Sequence, residues 1–158
     1  MSQETDLDLQ HLRVEQRDEH VVDVILDRPP VNALDERLIE ELRLVADHMS
    51  GPGRARVVVL SSAHDAFMVG ADLKMMDAGW DHVREMIQTF QDAVNRWERI
   101  PAATIALLGG HALGAGCELA LACDWRIVVR GKARIGLPEV QRGLIPAGGG
   151  TQRMARTV

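Results

Sequence analysis

Residues 109–125, GGHALGAGCELALACDW, place a carboxylate, Glu118, inside one of the most apolar and glycine-rich parts of the chain. The preceding TIALL, 104–108, reads as a buried strand, the glycines after it as a turn, and the residues from Gly114 up to Asp124 as a helix. A strand, turn and helix in this order leave the first N–H groups of the helix without intrahelical acceptors. That end of the helix is suited to negative charge. The apolar run from Ala102 to Cys117 is shorter than the ~20 residues a membrane-spanning helix needs, contains His111 and is ended by Glu118, so no membrane span is expected.

Outward from this stretch, apolar patterning alternates between strand and helix. Leu12–Arg17 and Val21–Asp27 read as strands joined by the polar turn DEH, with the clearest alternation in VVDVILD. The paired prolines of RPPVNA cannot continue a strand. Leu34, Leu38, Leu42, Val45 and Met49 recur at helical spacing, and GPG closes that helix. RVVVLS, 56–61, is a buried strand followed by the loop HDAFMVGADL. Val83, Met86, Ile87, Phe90, Val94 and Trp97 mark a second amphipathic helix, stopped by Pro101. WRIVV and residues 133–136 read as further strands, and PAGGGTQRMAR as a loop opening onto a helix. The order predicts an α/β layer architecture in one domain, 1–158.

Length and composition agree. A 158-residue chain with 46% hydrophobic and 26% charged residues has the makeup of a single folded domain. A formal charge of −5 argues against nucleic acid as the main ligand, because phosphate binding draws on clustered Lys and Arg. The N-terminal MSQETDLDLQ has no basic or apolar targeting pattern, so a cytoplasmic location is expected. Cys117 and Cys123 lie six residues apart on a helix, point away from each other and read as small core residues.

Two chemistries use a glycine turn feeding a helix. Dinucleotide binding is disfavoured, because GAGCEL has leucine where the third glycine of the fingerprint belongs and no earlier glycine-rich turn precedes it. The other is stabilisation of an oxyanion on a carbonyl, which needs two N–H donors from separate segments. FMVGADL, 67–73, supplies a second segment, with Gly70 permitting close backbone approach just before Ala71. Glu118 and Glu139 of GLPEV form a pair suited to proton handling, provided their environments separate their pKa values. His111, Cys117, Cys123 and Asp124 lack metal-ligand spacing, no GxSxG is present, and GGGT at 148–151 lacks the lysine of a phosphate loop. His20, His48, His64 and His82 read as solvated.

AFMVGADLKMM, PAATIALLGGHALGAGCELALACDWRI and ARIGLPEVQRGLIPAGGGTQRMAR together resemble the enoyl-CoA hydratase/isomerase, or crotonase, superfamily, and DRPPVNALDERLIEEL resembles its N-terminal region. The resemblance runs in order from about Val21 to the end. It implies a crotonase-like spiral core of ββα units. It also implies a thioester oxygen held by the N–H groups of Ala71 and Ala115, with Glu118 and Glu139 as catalytic residues. Segment Ala71, Asp72, Leu73 and Lys74 would lie along the bound CoA. The implied activity is syn addition of water to a trans-2-enoyl-CoA, a step of the fatty-acid β-oxidation type. It needs no metal and no cofactor, because CoA is part of the substrate. Alternatives within the resemblance are an enoyl-CoA isomerase or another acyl-CoA enzyme, and a non-catalytic acyl-CoA- or RNA-binding module. Family members continue past this sequence into helices that complete the acyl pocket and build trimers or dimers of trimers, so the resemblance implies a truncated form. Val69 stands where the family usually has a smaller residue, which narrows the acyl or CoA path.

Overall fold

The computed structural model describes residues 7–158 except 52, 54 and 132. The strands are β1 (Leu12–Gln16), β2 (Val21–Leu26), β3 (Val57–Ser62), β4 (Ala103–Leu108), β5 (Ala112–Leu113), β6 (Trp125–Val128) and β7 (Ile135–Gly136). The helices are α1 (Glu36–Met49), α2 (Trp80–Trp97), α3 (Ala115–Leu121) and α4 (Gly150–Thr157), with 3₁₀ turns at Leu73–Ala78 and Glu139–Arg142. Every strand and helix expected from the apolar pattern is present. The two-residue β5 was not anticipated, being too short to carry a period.

Five strands form one sheet in the order β1-β2-β3-β4-β6, antiparallel only between β1 and β2. Parallel neighbours send their C-terminal loops to the same side, which is where open α/β sheets carry their sites. Here the loops after β3 and β4 are the two segments singled out in the sequence. A second, smaller parallel arrangement registers them: β5 pairs with β7, Met68 bridges Ala112, and Leu34 bridges Ala71.

The core lies between the main sheet and the helices, with Leu26, Leu60, Phe67, Leu108 and Leu119 fully buried. α1 packs against α2, and Trp97 crosses that contact by donating its indole N–H to the Leu42 carbonyl at 2.9 Å. A buried indole needs such an acceptor, so the expected core role of Trp97 includes a polar anchor.

Two details differ from the sequence pattern. Leu34 is not part of α1. Asp35 caps that helix by accepting the Leu38 N–H at 2.8 Å, and Leu34 sits outside it, bridged to Ala71. Glu41 lies on the buried side of α1 with 0% exposure. Its oxygens accept from the N–H groups of Gln10, His11 and Leu12 at 2.8–2.9 Å and from Arg37 Nε at 2.7 Å. Four donors offset the cost of burying the carboxylate and fasten the chain before β1 to α1.

Candidate active site

Gly70 and Gly114 stand back to back. Both have left-handed φ, +102° and +55°, and a Cβ built on Gly114 would lie 3.5 Å from the Gly70 Cα. A side chain at either position would be strained and would crowd the crossing. The residues that follow, Ala71 and Ala115, are therefore neighbours. In the Leu34–Ala71 bridge, Leu34 donates to the Gly70 carbonyl and accepts from the Asp72 N–H, both at 2.8 Å, so the Ala71 N–H faces the other way. Ala115 is the first residue of α3, where an N–H has no intrahelical acceptor. Among the described residues neither N–H has a hydrogen-bond partner. Ala115 keeps a negative φ, since Asn32 is the only described non-glycine residue with a positive one. Alanine in place of glycine is therefore unstrained there.

One cleft is lined by Ala71, Ala115, Glu118 and Glu139 together, with Leu73 and Val69 beside them. Asp72 and Lys74 do not line it. Asp72 turns toward the body of the protein, where its carboxylate accepts the Lys74 N–H at 3.2 Å and Arg28 Nη2 at 3.0 Å. These two contacts, in that order, hold its pKa below the ordinary carboxylate value. Lys74 is exposed. Arg28 also pairs with Asp35 at 2.8 Å, so the segment after Ala71 is tied to the cap of α1. The apolar wall of the cleft comes from α2, through Val83, Met86, Ile87 and Phe90, and from Leu144 and Ala147.

Glu118 is 3% exposed. Its Oε1 accepts the Gly150 N–H at 2.8 Å. Burial raises its pKa above the ordinary value and the charge of Glu139 pushes the same way, while the Gly150 and Gly148 amides and Arg153 pull it down. Glu139 opens its 3₁₀ turn, and its Oε1 lies 3.2 Å from the place a Gly114 Cβ would occupy. Glu139 Oε2 is shielded from solvent and has no hydrogen-bond partner among the described residues. A buried acceptor without a partner costs stability, which makes Glu139 a candidate for the chemistry of the cleft. The cleft thus offers two free main-chain donors next to two carboxylates in unequal surroundings, one clasped by an amide and one open. Such an arrangement can hold a developing oxyanion and move a proton beside it.

Three groups of residues that serve the site were not singled out from sequence. The GGG of 148–150 is a turn leading into a helix, as expected, but it also encloses Glu118: Cβ atoms on Gly148 and Gly150 would meet that carboxylate at 2.6 and 2.9 Å. Asn32 is fully buried at φ +53°. It accepts the Arg28 N–H and donates to the Phe67 carbonyl, both at 2.8 Å, pinning the loop ahead of Ala71. Its one visible signal is an asparagine, tolerant of left-handed φ, after two prolines. Arg153 is the third. Of the histidines read as solvated, His64 is half-buried and lies 3.2 Å from Asp27, and His82 pairs with Glu36 at 2.6 Å.

The model of the Enoyl-CoA hydratase/isomerase family matches residues 16–158. The chain is 36% identical over 148 residues to an enoyl-CoA isomerase/hydratase of Mycosarcoma maydis, covering 87% of this chain and 54% of that protein. Among solved structures it is similar to DspI of Pseudomonas aeruginosa, with TM-score 0.90 and 33% identity, over 96% of this chain and 63% of that one. It is likewise similar to an enoyl-CoA hydratase from Bacillus anthracis, with TM-score 0.88 and 37% identity, over 93% of this chain and 58% of that one. The chain therefore spans about half the length of the curated relative it matches.

Proposed function

The chain belongs to the enoyl-CoA hydratase/isomerase family, and from that premise we propose that it is built for hydration of a trans-2-enoyl-CoA to the 3-hydroxyacyl-CoA. The observation that carries the proposal is the shared cleft of the Ala71 and Ala115 amides and the Glu118 and Glu139 carboxylates. In the proposed reaction the thioester oxygen accepts both N–H groups, which draws electrons from C3. Water held between the carboxylates adds its oxygen to C3 and leaves a proton on one of them. The π electrons move toward the thioester oxygen and return as C2 takes a proton from the other carboxyl group. One water is consumed, one C–O and one C–H bond form, and the pair ends with the proton count it began with. The reaction as written uses neither metal nor redox cofactor.

Magnitudes agree with such a division of labour. A preorganised donor at a developing oxyanion contributes about 3 kcal/mol, and a positioned acid or base roughly 10²–10⁴ in rate. The reaction as written begins with one carboxyl group protonated to supply C2 and the other ionised to take the proton from water.

Isomerisation of a 3-enoyl-CoA is the second reading, since the name of the Mycosarcoma maydis relative carries both activities. Two carboxylates on one cleft support hydration, because isomerisation moves a proton and needs no second group to hold water. The test is loss of crotonyl-CoA absorbance with the purified protein, run beside a 3-enoyl-CoA substrate. Turnover of the first with none of the second supports hydration. Turnover of the 3-enoyl substrate alone overturns it.

A further inference from the structure

Arg153 is an arginine on α4 with 9% exposure, and it joins the turn just before its own helix to residues more than fifty positions away. Its Nη1 donates to the Gly148 carbonyl at 3.0 Å. Its Nη2 donates to Asn95 Oδ1 and Glu98 Oε2, both at 2.7 Å, near the end of α2. The guanidinium lies directly over the glycine turn: a Cβ on Gly149 would stand 2.1 Å from Nη1. On the other side the turn presses on Phe90 and Glu118, since a Gly148 Cβ would meet them at 2.3 and 2.6 Å. The three glycines are thus a thin layer between a fixed cation and the Glu118 carboxylate. The last of them donates the hydrogen bond that Glu118 accepts.

From this geometry we infer that Arg153 is a positioning residue: it clamps the Gly148–Gly150 turn to α2 and, through the Gly150 N–H, sets the place and charge of Glu118. The inference rests on the catalytic reading of Glu118 above. A purely structural role fits the surroundings poorly. Arg153 Nε is buried without a partner among the described residues, and an apolar residue of similar size would avoid that cost. The Glu98 end of the pair is half-exposed, so solvent screening leaves it little stabilising value. What the cation supplies is a fork that fixes a main-chain carbonyl, together with a positive charge behind a buried carboxylate. The groups facing Glu118 are Glu139 across the cleft, Arg153 behind the turn, the buried thiol of Cys117 beside it on α3, the Gly148 and Gly150 amides, and the apolar ring of Phe90 from α2.

The variants are Arg153→Met, Arg153→Lys and, at the far end of the clamp, Asn95→Ala. Two measurements are made on each: the pH profile of crotonyl-CoA hydration, and a carboxyl NMR titration of Glu118, which needs no turnover. For folded Arg153→Met, kcat falls about 10–100-fold, the cost of misplacing a reacting group by roughly 1 Å, while KM stays within about threefold. Removing the cation makes the remaining carboxyl proton harder to lose, so the alkaline limb of the profile and the Glu118 midpoint both move to higher pH. Arg153→Lys restores the midpoint and part of the rate, because it keeps the charge and loses the fork. A folded Arg153→Met with wild-type kcat and an unmoved Glu118 midpoint overturns the inference. If Arg153→Met does not fold, Asn95→Ala decides: lower kcat with an upward midpoint supports the clamp, and no change in either refutes it. Wild-type protein that hydrates nothing defeats the functional reading and leaves the NMR titration to judge the clamp alone.

Discussion

Replacing Gly116 with alanine tests whether the two donor segments are held in register by contact. Gly116 follows Ala115 in the first turn of α3, and a Cβ there would lie 2.3 Å from the Met68 carbonyl oxygen, 2.7 Å from Met68 Cβ and 2.9 Å from the Met68 carbonyl carbon. Two of these three atoms are backbone, so no side-chain rotation relieves the contact. The segments must separate by roughly 1 Å to reach ordinary van der Waals distance. The same carbonyl accepts the Leu113 N–H at 2.9 Å, a bond worth about 1 kcal/mol net. Overpacking adds about 1–3 kcal/mol, and alanine's better helix propensity returns up to about 1 kcal/mol. The net loss is about 1–3 kcal/mol, or roughly 2–12 °C in Tm for a chain of this size. Met68 lies three residues before Ala71, so the separation also spreads the two donors, which lowers kcat/KM by up to about 100-fold. Thermal melts by circular dichroism and crotonyl-CoA hydration, assayed well below Tm, give the two numbers. Gly109→Ala is the control: its Cβ would meet nothing within 4 Å, and it leaves both unchanged. A folded Gly116→Ala protein with wild-type kcat/KM would refute the reasoning.

Other expectations concern the carboxylates and thiols. Glu118→Gln and Glu139→Gln each lower hydration by about 10²–10⁴ while acyl-CoA affinity, read by calorimetry, changes only a few fold; retained turnover in either variant removes that residue from the mechanism. Burial, followed by the charge of Glu139, raises the folded pKa of Glu118. Its contribution to stability is thus full below the unfolded carboxyl pKa and is lost as pH rises through the raised folded value. Glutamine does not titrate, so the stability of Glu118→Gln relative to wild type increases from acid toward neutral pH in urea melts, and a decrease would contradict the assignment. Burial also pushes the thiol of Cys117 up to about 11 and that of Cys123 up to about 12. Neither reacts with a thiol reagent in native protein at pH 8, and both react in urea; rapid native labelling would show that α3 or the turn after it opens.

What the sequence reveals and what it hides follow from the range of the interactions. The main strands and helices rest on apolar periods that are local, and most are visible as patterns such as VVDVILD or the stripe on α2. Glu118 is legible because a charge amid Cys117, Leu119 and Leu121 has no surface explanation. Ala71 and Ala115 follow glycines in loops after neighbouring strands, so their convergence can be read once a parallel sheet is assumed. The supports of the site are another matter. Gly150 to Glu118, Asn32 to Phe67 and Arg153 to Asn95 join residues 32, 35 and 58 positions apart, and no period records such pairings. Leu34 shows the opposite error: its spacing to Leu38 fits the helical stripe by coincidence, while the cap at Asp35 starts the helix after it.

The central claim is that one thioester oxygen is held by two main-chain amides between two carboxyl groups. A crystal structure of the Glu118→Gln, Glu139→Gln protein with crotonyl-CoA addresses it directly. The thioester oxygen is expected about 2.7–3.1 Å from the nitrogens of both Ala71 and Ala115, with C2 and C3 of the acyl group facing residues 118 and 139. A thioester oxygen bound by neither amide, or an acyl group lying outside this cleft, would contradict the account.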